Sequence, residues 1–194
     1  TGTGSISRAP QNTLENVSRD AYETRLNVAA IDEPIRIVFG RVALGASLAR
    51  ALKSGDNALI ILLWCRGEID AIESITMGGV ALPSGATVTH YTGTASQTVN
   101  AAMVSAFASI GVTWTDALTG LAYSVVNLPP TDSSGNLVSI GDFIATVRGL
   151  KCYDPRDGAQ SYASPATWLY TTNPTLHTAR LLYDDTLGLG MTPT

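Results

Sequence analysis

An α+β domain, rich in antiparallel strand and carrying one or two helices, is what this 194-residue sequence predicts. Three observations carry the prediction. Leu59 to Cys65 is an unbroken apolar run bounded by Asn57 and by Arg66-Gly67-Glu68. It is far shorter than the ~20 residues a membrane-spanning helix needs, and its length suits a strand buried on both faces. Short apolar segments on either side of it are separated by turn chemistry, Ser54-Gly-Asp-Asn57 before and Gly78-Gly79 after. One stretch, Thr98 to Ile110, instead repeats its apolar residues at helical spacing.

The elements follow in order. Residues 1–33 contain few structural signals and read as an N-terminal arm or extended segment, with residues 34–194 as the folded domain. In Pro34 to Val42, Ile35, Ile37 and Phe39 alternate with Arg36 and Val38, the period of a strand, and Gly40 suggests a bend. Leu44, Leu48 and Leu52 have helical spacing, but the loop at Ser54–Asn57 favours a strand that pairs back onto the apolar run. Gly78-Gly79 between Met77 and Val80 suits a type I′ hairpin turn, which needs positive φ at both central residues. Val88 to Tyr91 reads as a strand. The helix over 98–110 places Val99, Met103, Ala106 and Ile110 on one face, with Ala102 and Phe107 beside them. Ser96 or Thr98 is its cap, Gly111 its stop, and its scarcity of polar residues predicts burial on most sides. Leu121 to Val126 and Phe143 to Gly149 are further strands, and Asp154-Pro-Arg-Asp-Gly158 is a turn. Asn173-Pro174 opens a second helix over 174–187, with Asn as cap, Pro at the first helical position, and Leu176, Ala179, Leu182 and Tyr183 as its apolar face.

Composition narrows the function. Charged residues make up only 14% of the chain, and of its twelve basic residues only Lys53 and Lys151 are lysines, leaving ten arginines. Arginine is favoured and lysine depleted at protein interfaces, so this surface reads as one covered by partners. With a net charge of −4 and no basic run, the electrostatic footprint of a nucleic-acid binder is missing. Cys65 and Cys152 form no metal-binding pair and no disulfide framework, and Cys65 reads as a buried, unbonded thiol. The chain begins at Thr1 and ends on Gly188-Leu-Gly-Met-Thr-Pro-Thr194 without an evident closing element, and reads as part of a longer protein.

Catalytic and ligand motifs are thin. Gly45-Ala-Ser47-Leu-Ala49 resembles a nucleophile elbow whose second glycine is replaced, and only His90 and His177 are available as its base. Asp154, Asp157, Asp184 and Asp185 offer oxygen ligands but match no calcium loop. Asp184-Asp185 lies late in a helix, where the dipole disfavours acids, so an arginine partner is expected. No cofactor is expected, and no metal or catalytic site. Trp64, Trp114 and Trp168 read as core or interface anchors.

Four blocks carry a resemblance. Leu62-Leu-Trp-Cys-Arg-Gly-Glu-Ile69, followed by Ile72, Ile75 and Gly78, resembles the tail tip attachment proteins of long-tailed bacteriophages, the lambda J type. Pro34-Ile-Arg-Ile-Val-Phe-Gly-Arg41, Gly149-Leu-Lys-Cys-Tyr-Asp-Pro-Arg156 and Asn173-Pro-Thr-Leu176 through Leu187-Gly-Leu-Gly190 are similar to further blocks of the same family, in the same order. Arg66 stands where the family commonly has an acid, and Thr175 where it has alanine.

The resemblance implies a β-barrel or sandwich-like hub domain with helices packed outside. It implies a non-enzymatic structural role in a homotrimeric hub at the distal end of a tail tube, within the virion. Distal tail and tape-measure proteins would be its partners. Arg36, Arg41 and Arg148, on or beside predicted strands, are the expected interface residues, pairing with carboxylates. The rival reading is a carbohydrate- or receptor-binding β-domain of a tail using Tyr153, Tyr162, Trp168 and Tyr170; a hydrolase is a further alternative.

Overall fold

The computed structural model of the chain describes residues 34–191. The expected arm over residues 1–33 lies outside them. Among the described residues, nine strands and two α-helices follow in order: β1 (Arg41–Gly45), β2 (Ser47–Ser54), β3 (Asn57–Arg66), β4 (Ile69–Met77), β5 (Val80–Ala81), β6 (Thr87–Thr92), α1 (Ala101–Ala108), β7 (Leu121–Leu128), β8 (Phe143–Cys152), β9 (Leu169–Tyr170) and α2 (Pro174–Tyr183). All strand pairs are antiparallel. One sheet runs β1-β8-β4-β5, with β9 added to the end of β8; the other runs β2-β3-β7-β6. This is the β-rich α+β class the sequence predicts.

The apolar run explains the layering. In β3, Ile60, Leu62 and Trp64 meet Val126 and Leu128 of β7 and, across the interior, Ala145 and Val147 of β8. The alternate residues Leu59 and Ile61 face the other way, into a second cluster with Leu52, Tyr123, Val125 and the Met103, Ala106 and Phe107 face of α1. Strand period two therefore places one set of β3 side chains between the sheets and the other beneath a helix. A bulge between Leu63 and Cys65 gives Trp64 its own position. Its indole N–H donates to Ser124 Oγ at 2.8 Å, and that hydroxyl lies 2.7 Å from His90 Nδ1.

Hairpin chemistry behaves as read. Ser54 pairs with Asn57 across Gly55-Asp56, and Gly78 and Gly79 both have positive φ, at 60° and 81°, between the paired Met77 and Val80. Four expectations are corrected. Ile35 to Phe39 precedes the first strand, and its burial is reversed: Val38 is buried while Ile35 and Ile37 are exposed. The reason is a distant partner, since the Val38 and Gly40 carbonyls accept hydrogen bonds from Leu150 and Gly149 of β8. The first helix spans Ala101–Ala108 rather than 98–110: the Asn100 side chain, not Ser96 or Thr98, caps it by accepting from Met103 N, and Ser109 rather than Gly111 ends it; it is buried on one face only, with Val104 exposed and Ile110 exposed beyond its end. The second helix stops at Tyr183 rather than 187, where Asp184 takes a β conformation as its C-cap. Strand β8 also continues through Gly149 to Cys152.

Cys65 and Cys152 are both free and buried. Burial pushes their thiols up to about 12 and about 11. Among the described residues no helix is long and apolar enough to cross a membrane.

Two outcomes follow from the β3 core. Trp64→Ala removes a side chain only 2% exposed together with its hydrogen bond to Ser124, and should destabilise by about 3–5 kcal/mol, read as a lower denaturant midpoint with an unchanged slope. His90 has its pKa lowered by desolvation. Burial disfavours the charged imidazolium relative to the neutral ring. The unfolded chain, with an ordinary His value of 6.5, therefore binds the proton more readily. His90 should therefore make stability rise with pH through the interval between the lowered folded value and 6.5, and contribute no further pH dependence below or above that interval. Thermal melts between about pH 5 and 7 should show this slope in the wild type and lose it in His90→Gln.

Candidate interface

The three arginines singled out by sequence are not one cluster. Arg41 of β1 and Arg148 of β8 stand opposite each other in register, a placement that like charges disfavour. Two acids of β4 offset it. Arg41 Nε donates to Glu73 Oε2 at 2.7 Å, while Arg148 pairs with Asp70 and lies 3.8 Å from Glu73 Oε1. Glu73 falls at a bulge between Ile72 and Ser74, which aims it at both guanidiniums. The Arg148 guanidinium also lies over the Tyr170 ring, 5.2 Å from its centroid. Arg36 is elsewhere, donating to the Gly45 carbonyl at 2.9 Å. The carboxylates held by Arg41 and Arg148 thus belong to this chain. Asp70 and Glu73 escaped the sequence reading; their placement on a strand after Glu68 was the available signal.

The elbow-like segment does not form an elbow. Ser47 opens β2 after Ala46, linking a strand to a strand, whereas an elbow turns from strand into helix. His90 is engaged with Ser124, and His177 Nε2 with the Thr171 carbonyl at 2.9 Å. The four aspartates lie in two separate turns. Asp154 takes a two-point bond from Arg156, which holds its carboxyl at about 2, and Asp157 accepts from Ala159 N and Gln160 Nε2. Asp184 pairs with Arg180 at 2.8 Å, the arginine partner expected for it, and accepts from the amides of Thr186 and Leu187. Among the described residues no group of three or more His, Cys, Asp or Glu could hold a metal ion.

Three of the four aromatics considered for sugar binding, Tyr153, Tyr162 and Trp168, do meet, and Tyr183 joins them. They pack on one another rather than forming an open platform. Trp168 is buried, its indole N–H bonds to the Ser161 carbonyl, and the Arg180 guanidinium lies 4.2 Å from the centre of its ring. Tyr170 is apart, beneath Arg148. Beside this cluster an open cavity of about 1210 Å³ is walled by Arg66, Gly67, Tyr162, Arg180, Asp185 and Leu187, among others.

One junction does gather distant sequence. Phe39 stacks on His177, with ring centroids 5.1 Å apart. Arg66 N donates to the Arg36 carbonyl at 2.8 Å, and Leu150 N to the Val38 carbonyl at 2.8 Å. At Gly67, with φ 94°, a β-carbon would strike Leu150 and Leu187. At Gly149 a β-carbon would overlap the Val38 carbonyl. Residues 34–41, 62–69, 149–156 and 173–190 therefore converge on one contact region.

No protein-family model matches the chain, and no curated protein matches it. Among solved structures, it aligns with a chain of the virion of a native gene transfer agent particle, with a TM-score of 0.46 and 21% identity, over 70% of this chain and 29% of that one. The chain thus spans under a third of that protein's length.

The junction makes a paired test. Gly149→Ala should destabilise by about 1–3 kcal/mol, because the backbone of Val38 has to move. Gly158→Ala meets nothing within 4 Å and should stay within about 0.5 kcal/mol. Chemical denaturation of both variants gives the comparison.

Proposed function

We propose that this chain is a non-catalytic structural piece of a tail tip hub in a phage-type virion, assembling as a trimer at the distal end of a tail tube. The observation that carries the reading is the convergence of the four blocks that resemble tail tip attachment proteins. They are spread over residues 34 to 190, yet meet through Arg36–Arg66, Val38–Leu150, Phe39–His177 and Gly67–Leu187. A low charge content and a basic complement dominated by arginine also suit a chain whose surface is covered by neighbours. The expected partners are further copies of this chain, a distal tail protein and a tape-measure protein. The sugar-binding reading is weakened by the covered face of Trp168.

The reading is tested on the full-length protein. Light scattering should give a trimer, and gold-labelled antibody should mark the far end of the tail in electron micrographs of particles. A monodisperse monomer together with label on the head or along the tube would overturn it. Arg36→Ala should reduce trimer formation without lowering the melting temperature, whereas Arg41→Ala and Arg148→Ala should lower both, since they also lose carboxylates of their own chain. Hydrolysis of peptidoglycan, peptide or ester that vanishes in Ser47→Ala or Asp184→Asn would defeat the non-catalytic claim.

A further inference from the structure

A second region, on the four-stranded sheet, has no part in that junction. Between α1 and the edge strand β2 lies an apolar socket of about 310 Å³. Its floor is Ile61 and Met103, its walls Phe107, Trp114 and Leu118, and Arg50 stands at its margin. Phe107 and Trp114 are stacked with centroids 4.6 Å apart, which fixes one wall. The loop forming the other wall is held under strain. Leu118 has φ 54°, the only positive φ outside glycine among the described residues. A branched side chain persists there only where its surroundings impose it. They do: Asp116 Oδ1 accepts from Leu118 N at 2.7 Å, and Gln97 Nε2 donates to the Ala117 and Leu118 carbonyls at 2.9 and 2.5 Å. A preformed apolar recess with fixed walls is the usual character of a binding pocket.

Three further features describe what would enter it. First, β2 ends its sheet, and among the described residues its outer edge pairs with no strand, so its backbone N–H and C=O groups offer a template for an extended chain. Second, the exposed Arg50 and Lys53 stand on that strand, and among the described residues neither takes part in an ion pair. Two cations repel a second copy of β2 and attract carboxylates. Third, Ile110 and Val112 follow α1 with half-exposed side chains, and both donate backbone hydrogen bonds to the Phe107 carbonyl, which ties this apolar rim to the socket wall.

We propose that an extended, acidic segment of another chain pairs its backbone with β2 and inserts one large apolar side chain into the socket under α1. Backbone pairing supplies affinity and the socket supplies specificity, as in other cases of strand addition. With a strand period of two, acids two residues either side of the inserted side chain lie on the same face and reach Arg50. This does not depend on the tail tip reading; either can fail alone.

The test uses the full chain, labelled for NMR, with synthetic acetylated and amidated peptides. The probe Glu-Thr-Phe-Thr-Glu should shift the Met103 methyl and the Trp114 indole N–H together with the amides of β2. Lys-Thr-Phe-Thr-Lys should bind about tenfold more weakly, and Glu-Thr-Ala-Thr-Glu should lose the Met103 and Trp114 shifts. In the exposed variant Arg50→Glu the order of the acidic and basic peptides should reverse, with the rest of the spectrum unchanged. Octanoate is the control for a free small ligand. Shifts in the socket with octanoate but none in β2 with any peptide would overturn the proposal, as would equal binding of the acidic and basic peptides, or no shift at about 1 mM of any peptide.

Discussion

The whole arrangement depends on burying β3 on both of its faces. A strand with five aliphatic residues in succession, Leu59 to Leu63, cannot lie at the surface of a single sheet with one face in water. One face has to meet a second sheet, and the other requires a cover. Here the second sheet supplies Ala145, Val147 and Leu150, and α1 supplies Met103 and Phe107. The position of α1, between β6 and β7 in sequence, follows: it covers the back of the sheet to which both strands belong.

The polar interior is arranged around the same strand. Trp64 is too large and too polar at its nitrogen to be buried unpartnered, and Ser124 on the neighbouring β7 meets it. At the surface the reverse logic holds. Arg41 and Arg148 repel each other across β1 and β8, and the acids that relieve this come from β4 on the far side of β8. The arginines thus help hold three strands of one sheet together, which was not visible while each was considered alone as an interface residue.

The junction of the four blocks shows a different use of sequence. Its contacts are made largely by backbone and glycine: Gly149 lets Val38 approach β8, Gly67 leaves room for Leu150 and Leu187, and at Gly188 a β-carbon would overlap the Leu181 carbonyl. Glycine at such positions is required by proximity rather than by turn geometry alone. That requirement is invisible in the string, where Gly149 looked like the end of a strand.

Local chemistry determined much of this protein by itself. The apolar run, the Gly78-Gly79 turn, the Ser54–Asn57 hairpin and the Asn173-Pro174 helix start are all interactions within a few residues, and each was legible. The misread elements are those decided by distant partners. Val38 is buried rather than Ile37 because β8 takes its carbonyl, and α1 has one buried face because only one sheet lies against it. The acids that pair with Arg41 and Arg148 lie at least 32 positions away, and the socket by Leu118 is walled by residues from β2, β3, α1 and the loop before β7. Sequence fixes which segments must be buried, because hydrophobicity and turn chemistry are local. Which surfaces face one another is decided by the tertiary structure, because it depends on register and on contacts that no local pattern encodes.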